Sequence, residues 1–99
     1  MLVLIQRWTE YESGWGQRPD GISVHFNESQ RQEYITEHRE WQHRTYGATV
    51  PDEYDAPAGN GEWMELVAEH ADENITKYVL VGKSFRTYQR KLPWLREIK

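Results

Sequence analysis

The chain contains no cysteine. Disulfides, thiol nucleophiles, iron–sulfur clusters and thiolate zinc sites are therefore excluded, and a reducing, cytoplasmic setting is expected. Long apolar runs are also missing. The run at Met1 to Ile5 has no basic residue before it, and it is far shorter than a secretory core or the ~20 residues of a membrane span. No Gly-Lys-Ser/Thr phosphate loop, Gly-x-Ser-x-Gly elbow or dinucleotide fingerprint occurs, so the reaction classes those motifs serve have no anchor here. Aliphatic residues are sparse, and hydrophobic types make up only 37% of the 99 residues. Five Trp, six Tyr and two Phe compensate, because each aromatic ring hides about 150 to 250 Å² when buried. One folded domain over residues 1–99 is expected, too small for a second core or a deep cofactor cavity.

Leu2 to Glu12 opens with four apolar residues and then alternates, as a strand buried at its start and half solvated at its end does. Residues 13–21 hold three glycines and Pro19 and read as a shaped loop. Ile22 to Phe26 alternates apolar and polar, which predicts a second strand returning as a hairpin. Asn27 is a helix N-cap, with Gln30 completing a capping box. A helix then runs from about 28 to 46 with Tyr34, Ile35, His38, Trp41 and Thr45 on one stripe, and Gly47 ends it. Residues 47–61 read as a long loop. Residues 62–74 permit a helix, favoured by propensity, or a short strand to Val67 followed by a helical turn. Ile75 to Val81 is β-branched and aromatic and reads as a central third strand. Ser84 to Arg90 and the stretch after Pro93 read as short helices. The fold expected is α+β, a small, mostly antiparallel sheet covered by one long helix.

With cysteine absent, the histidines are the first candidates for metal or proton chemistry. His38 and His43 are five apart, about 140° around a helix, and miss the spacing that chelation needs. His25 and His70 have no partner nearby in sequence, so no metal and no cofactor are expected. His25, one strand-length past the Arg18 to Gly21 turn, is where an acid/base site would form if Glu12 or a carboxylate of the 47–61 loop converged on it. The carboxylates Glu33, Glu37 and Glu40 interleave with Arg39 and Arg44, the pattern of a solvated helix face. The expectation is therefore a protein without catalytic residues.

A tryptophan between two glycines at 14–16 costs backbone entropy unless its ring is seated. Either Trp15 caps the core edge, or it presents an anchor beside Arg18. Charge is strongly divided: residues 1–81 carry six basic and fifteen acidic residues, and residues 82–99 carry six basic and one acidic. The basic tail (Lys83, Arg86, Arg90, Lys91, Arg96, Lys99) interleaves Phe85, Tyr88 and Trp94, as nucleic-acid-binding segments do. Folding back on the acidic body, or joining a homodimer, is the competing use of the same charges.

Glu12 to His25 (ESGWGQRPDGISVH), followed by Tyr34-Ile35 and by Val50 to Tyr54 (VPDEY) with Pro57 and Gly59, resembles small uncharacterised phage and prophage proteins over roughly the first 60 residues. Ile22 departs from the aromatic residue often found there. The resemblance implies a phage accessory protein acting in a bacterial host, and short acidic products of that kind are often inhibitors of host defence, anti-CRISPR proteins among them. On that basis the leading expectation is a non-enzymatic inhibitor. Its acidic face (Glu33, Glu37, Glu40, Asp52, Glu53, Asp55) would dock on a basic, nucleic-acid-handling host protein, with no role for a membrane. Two alternatives remain open: a nucleotide- or anion-binding module built on Trp15, Arg18 and His25, and nucleic-acid binding through the tail.

Overall fold

The computed structural model describes residues 1–12, 16–47, 54–89 and 92–98. It is α+β, with a five-stranded antiparallel sheet, one long helix and one short helix. The elements are β1 (Leu2–Glu12), β2 (Gly16–His25), α1 (Glu28–Tyr46), β3 (Asp55–Leu66), a 3-10 turn at Ala68–His70, α2 (Glu73–Leu80), β4 (Phe85–Thr87) and β5 (Leu95–Glu97). Sheet order is β4-β2-β1-β3-β5. Among the described residues, no helix is long and apolar enough to cross a membrane.

The hairpin and the long helix follow from local sequence. Asn27 Oδ1 accepts from Gln30 N at 2.8 Å, and Gln30 Oε1 accepts from Phe26 N at 3.1 Å, so donors left over at the helix start are satisfied. Gly47 N donates to His43 O at 2.9 Å and closes the other end.

Several expectations are corrected. Ile75 to Val81 is not a central strand: α2 occupies Glu73–Leu80, capped by Asp72 Oδ1, which accepts from Ile75 N at 2.9 Å. Ile75 and Val79, one turn apart, face the core, so packing overrides β propensity. Residues 62–74 are a strand to Leu66 and then the 3-10 turn, which is the alternative reading rather than the helix. The 47–61 loop is shorter than expected because β3 begins at Asp55 and pairs with β1. β2 likewise begins at Gly16, inside the expected loop. Phe85–Thr87 and Leu95–Glu97 are edge strands where helices were expected.

Strand register divides the sheet into two unlike faces. Ile5 opposes Val24 and Val3 opposes Met64, so these side chains share a face. With Ile22, Leu66, Ile75 and Trp94 they form the apolar core under α2 and the C-terminal segment. On the opposite face, Leu4 pairs with His25 and Gln6 with Ser23, and Ser23 pairs with Arg86. This second face lies beneath α1. It is buried yet mostly polar: Gln6, Ser23 and His25 are all 0% exposed.

Two irregularities make the polar layer possible. Between Arg7 and Thr9 the partners jump from Ile22 to Pro19, so β2 bulges at Asp20 and Gly21. The bulge leaves the Asp20 carbonyl to accept from Arg86 Nη2 at 3.2 Å. On the other side the β1–β3 register shifts between Ile5 and Arg7. There the Gln6 amide donates to Ala58 O at 3.1 Å and Gly59 O at 3.2 Å. Gly61 lets α1 approach, since a methyl group there would lie 2.9 Å from both the Arg31 and Leu4 side chains.

Candidate functional site

Beneath α1 lies a connected set of buried side-chain hydrogen bonds. Arg31, nearly buried, donates through Nη1 to Gln6 Oε1 at 2.5 Å and through Nε and Nη2 to Glu28 at 2.9 and 2.6 Å. The bonds from Arg31 hold the Glu28 carboxyl down to about 2. Trp8 Nε1 donates to Ser23 Oγ at 2.8 Å, Ser23 Oγ lies 2.6 Å from His25 Nε2, and His25 Nδ1 lies 2.9 Å from Ser84 Oγ. Burial, assisted by the Arg31 cation, lowers His25 to about 4. The ring is therefore neutral at pH 7, with one N–H to place.

Donor counting places that proton. The indole N–H can only donate, so Ser23 accepts from Trp8, and its own hydroxyl needs an acceptor. Among the described residues His25 Nε2 is the acceptor within reach. His25 therefore carries its proton on Nδ1 and donates to Ser84, whose own hydroxyl proton is left to face outward. A serine that accepts from histidine is not activated as a nucleophile, which requires the opposite polarity.

Deeper along the same layer, Arg86 is 8% exposed. Its Nη2 lies 3.2 Å from Asp20 Oδ2 and 3.1 Å from Asp55 Oδ1, while its buried Nε and Nη1 have no hydrogen-bond partner among the described residues. The guanidinium carbon also sits 4.2 Å from the Trp8 ring centre and 5.1 Å from that of Tyr88, ring contacts that stabilise a cation. Burial and the nearby Asp55 push the Asp20 carboxyl up to about 6. Burial alone would raise Asp55 as well. His38, with Nε2 2.9 Å from Asp55 Oδ2, and Arg86 outweigh it and hold Asp55 below its ordinary value.

Of the residues singled out from sequence, Glu33, Glu37 and Glu40 are exposed on α1, within about 60° of one another around the helix at 100° per residue. Among the described residues, no ion pair engages any of the three. Asp55 is not on that face: it is turned inward to Arg86 and His38. Asp52, Glu53 and Trp15 lie outside the described residues. Arg18 is held by Glu10 at 2.9 Å and Glu12 at 3.0 Å. His25 pairs with Leu4, Arg18 with Glu10 and Glu12 with Gly16, so six residues of β1, about 20 Å of strand, separate His25 from Arg18, and eight, about 26 Å, separate it from Glu12. The acid/base convergence of His25 with Glu12 and the ligand cluster of His25 with Arg18 are thus not formed. In the tail, Arg86 is buried and Arg96 pairs with Glu65 at 2.7 Å, so two of its cations are engaged with the acidic body. Arg90, Lys91 and Lys99 lie outside the described residues.

Sequence reasoning missed an aromatic ladder. Rings follow one another from His25 to Tyr34 (5.1 Å), Tyr34 to His38 (6.4 Å), His38 to Trp41 (5.6 Å), Trp41 to Tyr46 (5.9 Å) and Tyr46 to Tyr54 (6.3 Å). It begins in the buried layer and ends at the surface, where Trp41 is 46%, Tyr46 58% and Tyr54 40% exposed. Trp41 was visible as a member of the helix stripe, but its emergence beside Glu37 and Glu40 depends on how α1 is rotated over the sheet. Among the described residues, no group of three or more His, Asp or Glu is placed to hold a metal. The chain matches no known protein family, no curated protein and no solved structure.

Proposed function

We propose that the protein is a non-enzymatic binding protein, an inhibitor of the phage anti-defence kind, that docks the outer face of α1 on a basic surface of a nucleic-acid-handling host protein. The observation that carries this reading is the exposed face of α1, on which Glu33, Glu37 and Glu40 make no ion pair among the described residues, with Trp41 one turn from Glu37 opening a run of exposed rings through Tyr46 to Tyr54. Exposed tryptophan and tyrosine are the side chains most often found at the energetic centres of interfaces. Carboxylates around them raise the encounter rate with a basic partner and select against acidic ones. Lysine and arginine of such a partner also gain from the faces of the rings.

The polarity of the His25–Ser84 contact supports a role without chemistry, and the pairing of Arg18 with Glu10 and Glu12 weighs against the anion-binding alternative. The test is capture of host proteins on the immobilised chain, with bound proteins identified by mass spectrometry. A basic nucleic-acid-handling protein is expected. It should be lost with Glu33→Lys/Glu37→Lys/Glu40→Lys and with Trp41→Ala, each at an unchanged thermal midpoint. Undiminished capture by both variants overturns the reading.

A further inference from the structure

A second feature lies along the N-terminal half of α1. β4 is an edge strand: among the described residues it pairs only with β2. Its outward backbone can be assigned. A methyl group at Gly21 would lie 2.1 Å from Thr87 O, so that carbonyl points at β2. Phe85 therefore points the same way, and the N–H and C=O of Arg86 point away from the sheet, by the alternation of an antiparallel strand. Just before this strand begins, a groove of about 350 Å³ lies between α1 and the turn that leads into β4. Glu33, Tyr34 and Glu37 form one wall, and Lys83 and Ser84 the other. The Gln30 amide ties the walls together, donating to Gly82 O at 3.0 Å. Two carboxylates against one ammonium leave the groove negative. The Ser84 hydroxyl, fixed by His25, offers it a donor.

We propose that this seam receives an extended basic segment of the protein partner, which adds as a sixth strand beside β4 and lays one arginine or lysine side chain in the groove. Strand addition supplies backbone bonds to Arg86, and the pocket beside the edge supplies selectivity. Side chains of an added strand alternate between faces, so the residue opposite Ser84 enters the groove while the residue two places away bonds the Arg86 backbone. The cation meets Glu33 and Glu37. The inference rests on the acidic-face reading above and adds to it the conformation of the bound segment and the place of one side chain.

The test uses the full chain and a fluorescent peptide, acetyl-Val-Thr-Arg-Thr-Val-amide, with two altered copies. One carries citrulline in place of arginine, which keeps the shape and removes the charge. The other is N-methylated on both valines, which removes the pairing hydrogen bonds. The arginine peptide should bind, and each copy should bind at least about tenfold more weakly. Glu33→Gln/Glu37→Gln should weaken the arginine peptide by a similar factor. Equal binding of the citrulline copy, indifference to N-methylation, or no binding of any peptide at ~1 mM overturns the inference. If the peptide results hold but the immobilised chain captures no host protein, the docking reading falls and the groove stands as a site for an extended basic segment.

Discussion

The guanidinium carbon of Arg86 sits over the indole of Trp8, 4.2 Å from the ring centre, in a layer where, among the described residues, Asp20 and Asp55 are the anions paired with it. Removing one member of a buried charge cluster strands the rest, at a cost of about 3 to 5 kcal/mol. Arg86→Ala should therefore be severely destabilised in urea titrations. Arg86→Lys keeps the charge but loses the guanidinium over the Trp8 ring and its fixed fork of donors, and should cost about 1 to 2 kcal/mol. Adding Asp20→Asn and Asp55→Asn to Arg86→Ala should recover part of the loss. A single Arg86→Ala variant as stable as the parent would show that the cluster contributes nothing to folding.

Two buried groups titrate in opposite directions over one pH window. Asp20 is raised to about 6, so between pH 4 and 6 the folded state holds more protons than the unfolded chain, and Asp20 makes stability fall as pH rises. His25 is lowered to about 4, so between pH 4 and 6.5 the unfolded chain holds more protons, and His25 makes stability rise with pH. The two contributions oppose each other, and the stability curve should be shallow there. Asp20→Asn should expose a curve that rises with pH, and His25→Asn one that falls. Parallel curves for the two variants, measured by denaturation across pH 4 to 7, would contradict the assignment.

The hydrogen-bond polarity from Trp8 through Ser23 to His25 is directly observable. At pH 7, nitrogen-15 shifts of the imidazole should show Nδ1 protonated and Nε2 bare. Ser23→Ala leaves the indole N–H and the imidazole Nε2 buried without partners, each costing about 1 to 3 kcal/mol. In that variant the tautomer preference should weaken. A proton found on Nε2 in the parent chain would reverse the direction of the Ser84 contact and reopen Ser84 as a nucleophile.

What was legible in the sequence was local. Asn27 and Gly47 bracket α1 as their cap chemistry requires, and the alternation of Ile22 to Phe26 placed β2. Ile75 to Val81 was misread because β-branched residues report a packing environment as much as a backbone preference. The signal for a helix was nonetheless present, in Asp72 three residues before Ile75 and in the Ile75–Val79 spacing. β3 had no comparable signal, because Asp55–Leu66 is poor in aliphatics and gains its ladder from β1, some 50 residues earlier. The polar layer was hidden for another reason. Gln6, Ser23 and His25 alternate with apolar neighbours as solvent-facing residues do, and only the placement of α1 over that face turns them into an interior. Asp20, Asp55 and Arg86 meet there from three different strands and the bulge between two of them, so no spacing along the chain announces them.

The bulge that brings Asp20 to Arg86 depends on Gly21, whose φ of +82° is costly for a residue with a side chain. Space is a separate obstacle, because a methyl group there would meet backbone, Thr87 O at 2.1 Å, which cannot rotate away. At Gly61 the backbone is not left-handed, and the obstacles at 2.9 Å are the side chains of Arg31 and Leu4, which can yield by rotation. Gly21→Ala should thus cost at least about 3 kcal/mol and Gly61→Ala about 1 to 2 kcal/mol. The two variants should also fail in different places. Gly21→Ala separates β4 from β2, so the amides of Phe85 and Thr87, which point toward β2, should lose their hydrogen-exchange protection while those of β1 and β3 keep theirs. Gly61→Ala lifts α1, so protection should fall along the helix instead, with β4 unaffected. Equal stability losses, or loss of protection at Phe85 and Thr87 in both variants, would show that the edge strand is not held through Gly21.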